Sequence, residues 1–330
     1  MSNTTTKLQG IVNLASTHVD LVPLAGVGGY SNEPALSICN DAIQELLCAP
    51  LDWKFNSVEM PMLVTTPSKQ DYQFGGAIAF TLGATGSGAG IDLTSNNAIT
   101  QSGTTTTVNT LEAHRFKVGD TVYMSGNTVA AFNSTFTDDG STSTWSGGWV
   151  ITAVGTKSFT FTHANSGLST SGAPGITDFG WLASATMVEM NNNSSPQNSR
   201  TIQAVRELEP WSRVSTPEKV CVLKDNGDGT LKIRFHPVPG STQWGAKLVY
   251  QAKAPLKVAL TDTWAPFPDE YGFVYRQAFL WAAYRYLRSP IADAEYAKLQ
   301  QKVMKALGGA DRETSDVYVT PAENLMDMGW

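Results

Sequence analysis

Four histidines could bring imidazole chemistry to this chain: His18, His114, His163 and His236. A metal centre needs donor atoms that converge, and sequence spacing normally betrays them. No two of these histidines stand at ligand spacing, so they read as surface or turn residues. The cysteines are Cys39, Cys48 and Cys221, with no Cys-x-x-Cys pair. An odd, sparse count argues against a disulfide framework and fits folding in a cytosol. Cys39 and Cys48 fall on or beside an apolar helix face and read as small buried hydrophobes. Neither Gly-x-Ser-x-Gly nor His-Glu-x-x-His occurs. The run from Gly83 to Gly90 lacks the Gly-Lys-Ser/Thr ending of a phosphate loop and reads as a linker.

Other patterns imitate sites without completing them. Asp225-Asn226-Gly227-Asp228-Gly229 opens like a calcium loop, but Lys232 and Arg234 occupy ligand positions and no closing Glu arrives. It reads as a hairpin turn. Asp138-Asp139 has no second carboxylate at a fixed, workable separation for glycoside hydrolysis. Trp145 and Trp149 could form a sugar platform or pack inside a β-module. Arg276, Arg285, Arg288, Lys298, Lys302 and Lys305 give one helical region a basic side, suited to solvent or to an acidic partner. No catalytic residue, cofactor or metal is therefore expected, and the chain does not read as an enzyme.

Composition bounds the rest. The chain has 330 residues, 42% of them hydrophobic and only 16% charged, with a net charge of −6. The charged fraction lies well below the usual ~25%. Ser, Thr, Asn and Gly replace charge, which suits β-structure rich in turns, or a surface covered by neighbours. Abundant aromatics exclude a disordered chain. A DNA-coating protein would be basic; an acidic one can stand beside DNA without gripping it. The polar stretch Met1 to Lys7 predicts no signal peptide, and the lack of an 18-residue apolar run predicts no membrane span.

The pattern along the chain predicts an α+β fold. Residues 1–31 read as a Thr- and Gly-rich arm. Residues 32–48 predict a helix with Asn32 as cap, Pro34 near its first position, and Leu36, Cys39, Ile43, Leu46 and Leu47 at helical spacing. Alternation from Leu51 to Phe55, and the runs 60–64 and 73–82, predict strands. Residues 97–181 are poor in charge, and the segments Thr105–Asn109, Thr121–Ser125, Trp149–Val154 and Ser158–Thr162 read as strands of a small inserted sandwich or barrel. Strands follow at 185–190, 219–223, 231–235 and 247–251. Residues 269–307 predict two helices. Asp269 caps the first, whose stripe is Phe273, Gln277, Leu280, Trp281, Tyr284 and Leu287. Ser289-Pro290 breaks it, and the second carries Tyr296, Leu299, Val303 and Leu307 before Gly308-Gly309. The early helix is expected to pack against these two. The expected architecture is a discontinuous helical bundle, residues 32–50 and 264–309. Its core would be Leu36, Ile43, Leu46, Phe273, Leu280, Trp281, Tyr284, Leu299 and Val303. A β-domain, 51–96 and 182–263, interrupts the bundle and itself carries the 97–181 module. Residues 310–330 form a second arm whose Tyr318, Leu325, Met326, Met328 and Trp330 call for something to dock on.

Two stretches resemble bacteriophage head-to-tail adaptors, with the tail tubular protein A group of short-tailed phages as nearest comparison. Residues 36–56 resemble the opening helix and first strand of such proteins, through Leu36-Ser37-Ile38-Cys39-Asn40-Asp41-Ala42-Ile43-Gln44-Glu45-Leu46 and Leu51-Asp52-Trp53-Lys54-Phe55-Asn56. Residues 264–307 resemble their closing helices, through Trp264, Pro268-Asp269-Glu270-Tyr271 and Ala278 to Tyr286. Lys69-Gln70-Asp71-Tyr72, Leu208-Glu209-Pro210-Trp211 and Ile233-Arg234-Phe235-His236-Pro237-Val238-Pro239 keep the family's order between them. Ala113 to Val122, with its Val118-Gly119-Asp120 turn, looks like the small β-modules inserted in phage virion proteins. The resemblance implies a structural virion protein at the head–tail junction, assembled in the host cytoplasm. It would form a ring of identical copies, commonly twelve, between portal and tail or nozzle proteins. DNA would pass through the lumen without sequence-specific contacts, and no membrane would be involved. The arm residues Tyr318, Leu325, Met326, Met328 and Trp330 would reach the portal. Another tail or baseplate component, or a carbohydrate-binding module at 97–181, stands as the alternative.

Overall fold

The computed structural model describes residues 5–18, 32–82, 90–94, 96–138, 143–172, 176–190, 199–206, 208, 213–224 and 231–311. The fold is α+β, mostly β-sheet with few helices. The chain divides into two compact units, one from Met1–Asn56 with Lys253–Trp330, the other from Ser57–Ala252.

The first unit is helical: α1 Leu8–His18, α2 Ala35–Leu46, α3 Gly272–Tyr286 and α4 Ala292–Asp311. Residues 8–18 are a helix where the sequence suggested an arm. Leu8, Ile11 and Val12 are spaced to share one helix face and are all buried in the unit's core. Their burial overrides the poor helix formers around them. Residues 19–31, including the extended run expected at 22–26, lie outside the described residues. At the start of α2 the Asn32 side chain is not the cap. Its backbone carbonyl accepts the Leu36 N–H at 2.9 Å, and Glu33 Oε2 accepts the Ser37 N–H and hydroxyl at 3.2 and 2.7 Å.

The single stripe expected on α3 is also corrected. Val274, Tyr275, Gln277, Ala278, Phe279, Trp281, Ala282 and Ala283 are all buried, which wraps most of the helix circumference. α3 contacts α1, α2 and α4 and so has apolar neighbours on several sides. Phe273, expected in the core, is instead 42% exposed, and Leu287 is 41% exposed. Leu36 and Leu280 are only partly buried against the core. Ile43, Leu46, Trp281, Leu299 and Val303 are fully inside it, and Tyr284 is half-buried. α4 runs through Gly308 and Gly309, where the sequence suggested a stop.

Leu51 to Phe55 alternates like a strand but forms none; a 3-10 turn occupies Lys54–Asn56. The alternation serves side-chain burial. Trp53 packs edge-on against Phe267 and Tyr271 with ring centroids 5.6 Å away, and its indole Nε1 donates to the Leu46 carbonyl at 2.7 Å. The end of α2 is thereby tied to the loop that follows it.

The second unit contains three main sheets. In one, Ser57–Glu59, Trp244–Ala252, Phe179–Glu189 and Ser199–Thr201 lie side by side, and Leu63–Val64 also pairs with Trp244–Ala252. In another the order is Gln203–Ala204, Lys219–Lys224, Leu231–His236, Asp71–Gln73. Residues of both supply one core, which includes Tyr72, Phe74, Met187, Ile233, Phe235, Leu248 and Tyr250. The turn at 225–229 lies outside the described residues, although the strands it would join are antiparallel partners.

The third sheet has seven strands in the order Ile91–Asp92, Ile78–Thr81, Thr121–Ser125, Trp149–Val154, Ser158–Thr162, Thr105–Asn109, Ile99–Ser102. It curls back on itself. The Thr94 N–H bonds the Asn109 carbonyl at 3.1 Å, and the Leu111 N–H bonds the Asp92 carbonyl at 2.8 Å. Inside lie Val108, Phe116, Val122, Met124, Phe132, Ile151, Phe159 and Phe161. Ile78–Thr81 and Ile91–Asp92 belong to this sheet, so it draws strands from both sides of residue 97. The Val118-Gly119-Asp120 turn is held by Asp120 Oδ2, which accepts the Lys117 N–H at 2.8 Å, and needs Gly119 at φ 91°.

Trp53 gives the first test. Trp53→Ala should cost about 3–5 kcal/mol through lost burial and cavity formation, and it leaves the Leu46 carbonyl without its indole donor. Urea unfolding should show this loss, and Trp53→Phe should recover much of it. A loss under ~1 kcal/mol for Trp53→Ala would mean that the loop is not part of the core.

Candidate functional site

The histidines have separate structural roles. His114 Nε2 lies 2.9 Å from the Ser158 carbonyl while its Nδ1 accepts the Phe116 N–H, which selects the Nε2–H tautomer. His163 is buried beside Phe132, within 3.2 Å of the Ala131 carbonyl. His236 ends the strand Leu231–His236. Among the described residues no group of three His, Cys, Asp or Glu could hold a metal. Cys39 and Cys221 are buried; Cys48 is exposed, contrary to its expected burial, because the chain has left α2 by that point. Burial and Glu33 push the Cys39 thiol up to about 12, which keeps it un-ionised.

Trp145 and Trp149 do not form a shared platform. Trp145 packs on Phe80 and Phe136, with centroids at 4.7 and 5.1 Å. Trp149 packs on Phe161 at 5.1 Å and belongs to a different core.

The motif residues between the helices are cross-strand partners. Arg234 grips Asp71 through a fork, Nε to Oδ1 and Nη2 to Oδ2, both at 2.7 Å. That hydrogen bonding raises the guanidinium further above neutrality. Lys69 pairs with the buried Asp92 at 2.9 Å, and burial still leaves that carboxyl raised overall. These contacts pin register rather than build a reactive centre. Beside them Lys69, Glu112, His114 and Arg115 line a cleft of about 400 Å³.

Half of the basic residues of α3 and α4 are engaged within their own unit. Glu295 accepts from Lys298 at 2.7 Å and from Gln277 Nε2 at 2.5 Å, and Lys302 donates to Gln277 Oε1 at 2.7 Å. Burial opposes ionisation of Glu295, yet Lys298 and Gln277 hold its carboxyl below the ordinary range. Arg285 lies over Trp281 at 5.4 Å. Arg276, Arg288 and Lys305 are exposed. A cleft of about 410 Å³ sits at the α3–α4 turn, lined by Glu45, Trp281, Arg285, Ala292, Asp293 and Tyr296. The Tyr296 hydroxyl donates to Glu45 Oε1 at 2.8 Å, and this bond to a carboxylate raises the phenol's pKa.

Residues 173–323 match the family model of the SU10 adaptor protein. The match spans just under half of the chain, and it supports a phage adaptor, a structural and non-enzymatic class found in virions. It covers α3, α4 and the strands from Phe179–Glu189 to Trp244–Ala252, and leaves out α1, α2 and every strand of the curled sheet. No curated protein matches the chain. Among the described residues no helix is long and apolar enough to cross a membrane. The arm residues Tyr318, Leu325, Met326, Met328 and Trp330 lie outside the described residues.

Sequence reasoning missed the clasp on the helical unit. Asp269, expected to cap α3, instead accepts the Thr5 N–H and hydroxyl at 2.8 and 2.5 Å and the Thr6 N–H at 3.1 Å. The leader also pairs along 260–264: Leu8 and Gln9 donate to the carbonyls of Asp262 and Leu260, and Trp264 donates to Thr6. No local spacing announces a contact across more than 260 residues. The Thr5 side chain and the Thr5 and Thr6 amides hold the Asp269 carboxyl well below its ordinary range. A depressed carboxyl stabilises the folded state above its unfolded pKa, and this contribution fades as pH falls through the folded value. Asp269→Asn should therefore speed hydrogen exchange at Thr6 and along α1 at neutral pH. The difference from the unsubstituted protein should shrink only below about pH 3.9. Equal exchange in both proteins at neutral pH would remove the clasp.

Proposed function

We propose that this chain is the subunit of an adaptor ring that joins a phage portal to its tail and surrounds part of the DNA exit channel. The observation that carries this reading is the SU10 adaptor match over residues 173–323, which takes in α3 and α4. The helical unit built from both ends of the chain agrees with it. The ring would contain commonly twelve copies, with the portal on one face and tail or nozzle proteins on the other. A net charge of −6 suits a channel that lets DNA slide, since affinity for phosphate would come from Lys and Arg. Tyr318, Leu325, Met326, Met328 and Trp330 would dock on the portal as an ordering arm, with buried apolar area offsetting lost chain entropy. A different tail or baseplate position is the second reading, since most of the fold is β-sheet. A sugar platform at Trp145 and Trp149 is disfavoured by their separate packing.

Mixing the purified protein with the portal protein of the same genome should give particles with an added ring in electron micrographs. Deleting residues 316–330 should leave the circular dichroism and unfolding midpoint unchanged and weaken portal binding at least tenfold, a loss of about 1.4 kcal/mol or more. Full binding by the truncated protein would rule out the arm. No ring with the intact protein would move the assignment to a more distal tail position.

A further inference from the structure

Residues 253–258 read Lys-Ala-Pro-Leu-Lys-Val, two bases and no acid. Leu256 and Val258 are 79 and 72% exposed, more than any other large apolar residue described. The backbone that carries them is pinned. The Asn40 amide holds both the N–H and the carbonyl of Lys257, and Asp262 Oδ2 accepts the N–H groups of Val258 and Ala259, each at 3.0 Å. Lys257 Nζ turns inward and donates to the Ala265 carbonyl at 2.7 Å. In extended chain the residues on either side then point outward together, as a fixed apolar knob. The helical unit also has a hollow. The cleft of about 410 Å³ presents the rings of Trp281 and Tyr296, with two carboxylates, Glu45 and Asp293, against one base, Arg285. Knob and cleft hang on the same helix. Asn40 of α2 holds the knob, and Glu45 of α2 bonds Tyr296 in the cleft. Five positions along a helix amount to about 140° of rotation and ~7.5 Å of rise, so the two features sit on different flanks of α2.

We infer that Leu256 and Val258 of one copy of this chain seat in the cleft of the next copy, against its Trp281 and Tyr296, with Lys253 beside its Asp293. A knob pinned on one flank of α2 does not swing into a cleft on another flank of the same helix, so the occupant is a second copy. The chemistry matches. Aliphatic side chains meet aromatic rings, and a segment with bases and no acid meets a rim with a surplus of carboxylate. Lys253 is exposed and free to turn toward that rim. Two side chains anchor an interface, and the surfaces around them complete it. Knob and cleft are different patches, so the contact runs head to tail. Repeats of such a contact close into a ring where the rotation between copies permits. The inference rests on the ring reading above and names the surfaces through which neighbouring copies meet.

Cysteine trapping on the full chain tests it, with Cys48→Ser in every variant to remove the exposed thiol. Val258→Cys together with Ala292→Cys should give a ladder of interchain disulfides under a thiol oxidant when the protein is assembled on the portal protein. Each single variant should give none, and a mixture of the two single variants should give dimers alone. Lys253→Glu should slow the ladder about two- to fivefold, the size of one exposed ion pair. Asp293→Lys added to Lys253→Glu should restore most of the rate. Dimers from Val258→Cys alone would mean a two-fold contact and overturn the inference, as would an intrachain bond in the double variant. A ring in electron micrographs without the ladder would overturn this contact and leave the ring reading standing. Absence of both ring and ladder would overturn both.

Discussion

The helical unit depends on one constraint: α3 is apolar around most of its circumference and has to be sheathed. An amphipathic helix can lie on a surface with one face in water, whereas a helix such as α3 is stable only when other elements surround it. Its sheath comes from α1, α2 and α4 and from the aromatic loop residues Trp53, Trp264 and Phe267. Trp264 stacks almost flat on Tyr275, 9° between planes at 4.9 Å. These elements come from both ends of the chain, so the unit cannot close until residues 5–56 and 253–306 meet. The β excursion brings its own ends together. Ser57 pairs with Gln251, so its first and last strands are antiparallel neighbours and deliver the chain back next to where it left. The entropy of closing so long a loop grows only slowly with its length, and a folded excursion removes most of that cost.

Polar contacts are of two kinds. The Arg234–Asp71 fork and the Gln277–Glu295–Lys302 chain are partly buried and geometrically fixed, and each joins neighbouring elements. Contacts of this kind specify register, and removing one partner leaves the other exposed to a desolvation cost. Lys298 is 60% exposed in its pair with Glu295, and that pair alone contributes little. The Asp269 clasp lies nearer the second kind in exposure, yet it collects several donors at once on one carboxylate. Its importance is therefore positional: it directs the leader along 260–264 so that Leu8, Ile11 and Val12 arrive at the core.

The sequence was most legible where side chains alternate between a closed interior and water. Thr105–Asn109, Thr121–Ser125, Trp149–Val154 and Ser158–Thr162 have the bounds that alternation and turn residues predict. Legibility failed where burial was not one-sided. A helix buried on several sides has no stripe to find, so spacing alone assigns Phe273 to the interior and does not single out the buried Ala278, Phe279 and Ala283. Leu51 to Phe55 alternates because Trp53 and Phe55 point into aromatic neighbours, and that pattern imitates a strand. In α1 the core residues Leu8, Ile11 and Val12 stand among Gln9, Gly10 and Asn13, a short pattern that does not outweigh the Thr- and Gly-rich composition around it. For the candidate surfaces, residue types pointed to the α3–α4 region, but the Glu45–Tyr296 and Asp269–Thr5 pairs join residues hundreds of positions apart and have no local signature.

The distribution of exposed apolar side chains bears on how such a protein would assemble. Leu256, Val258, Phe273, Tyr286, Leu287, Ile291 and Met304 belong to the helical unit, against Leu111, Val118, Val150, Val154 and Val214 in the larger β unit. Among the described residues, the helical unit thus carries more exposed large apolar side chains than the larger β unit. Leu256 and Val258 are the extreme case. Between them Lys257 has its backbone clamped by the Asn40 amide, which accepts the Lys257 N–H at 2.8 Å and donates to its carbonyl at 3.1 Å. A segment held that firmly presents its two outward residues in a fixed direction, so covering them costs little further ordering. With only 16% of residues charged, recognition by such a surface would rest more on the fit of preorganised apolar groups than on long-range attraction.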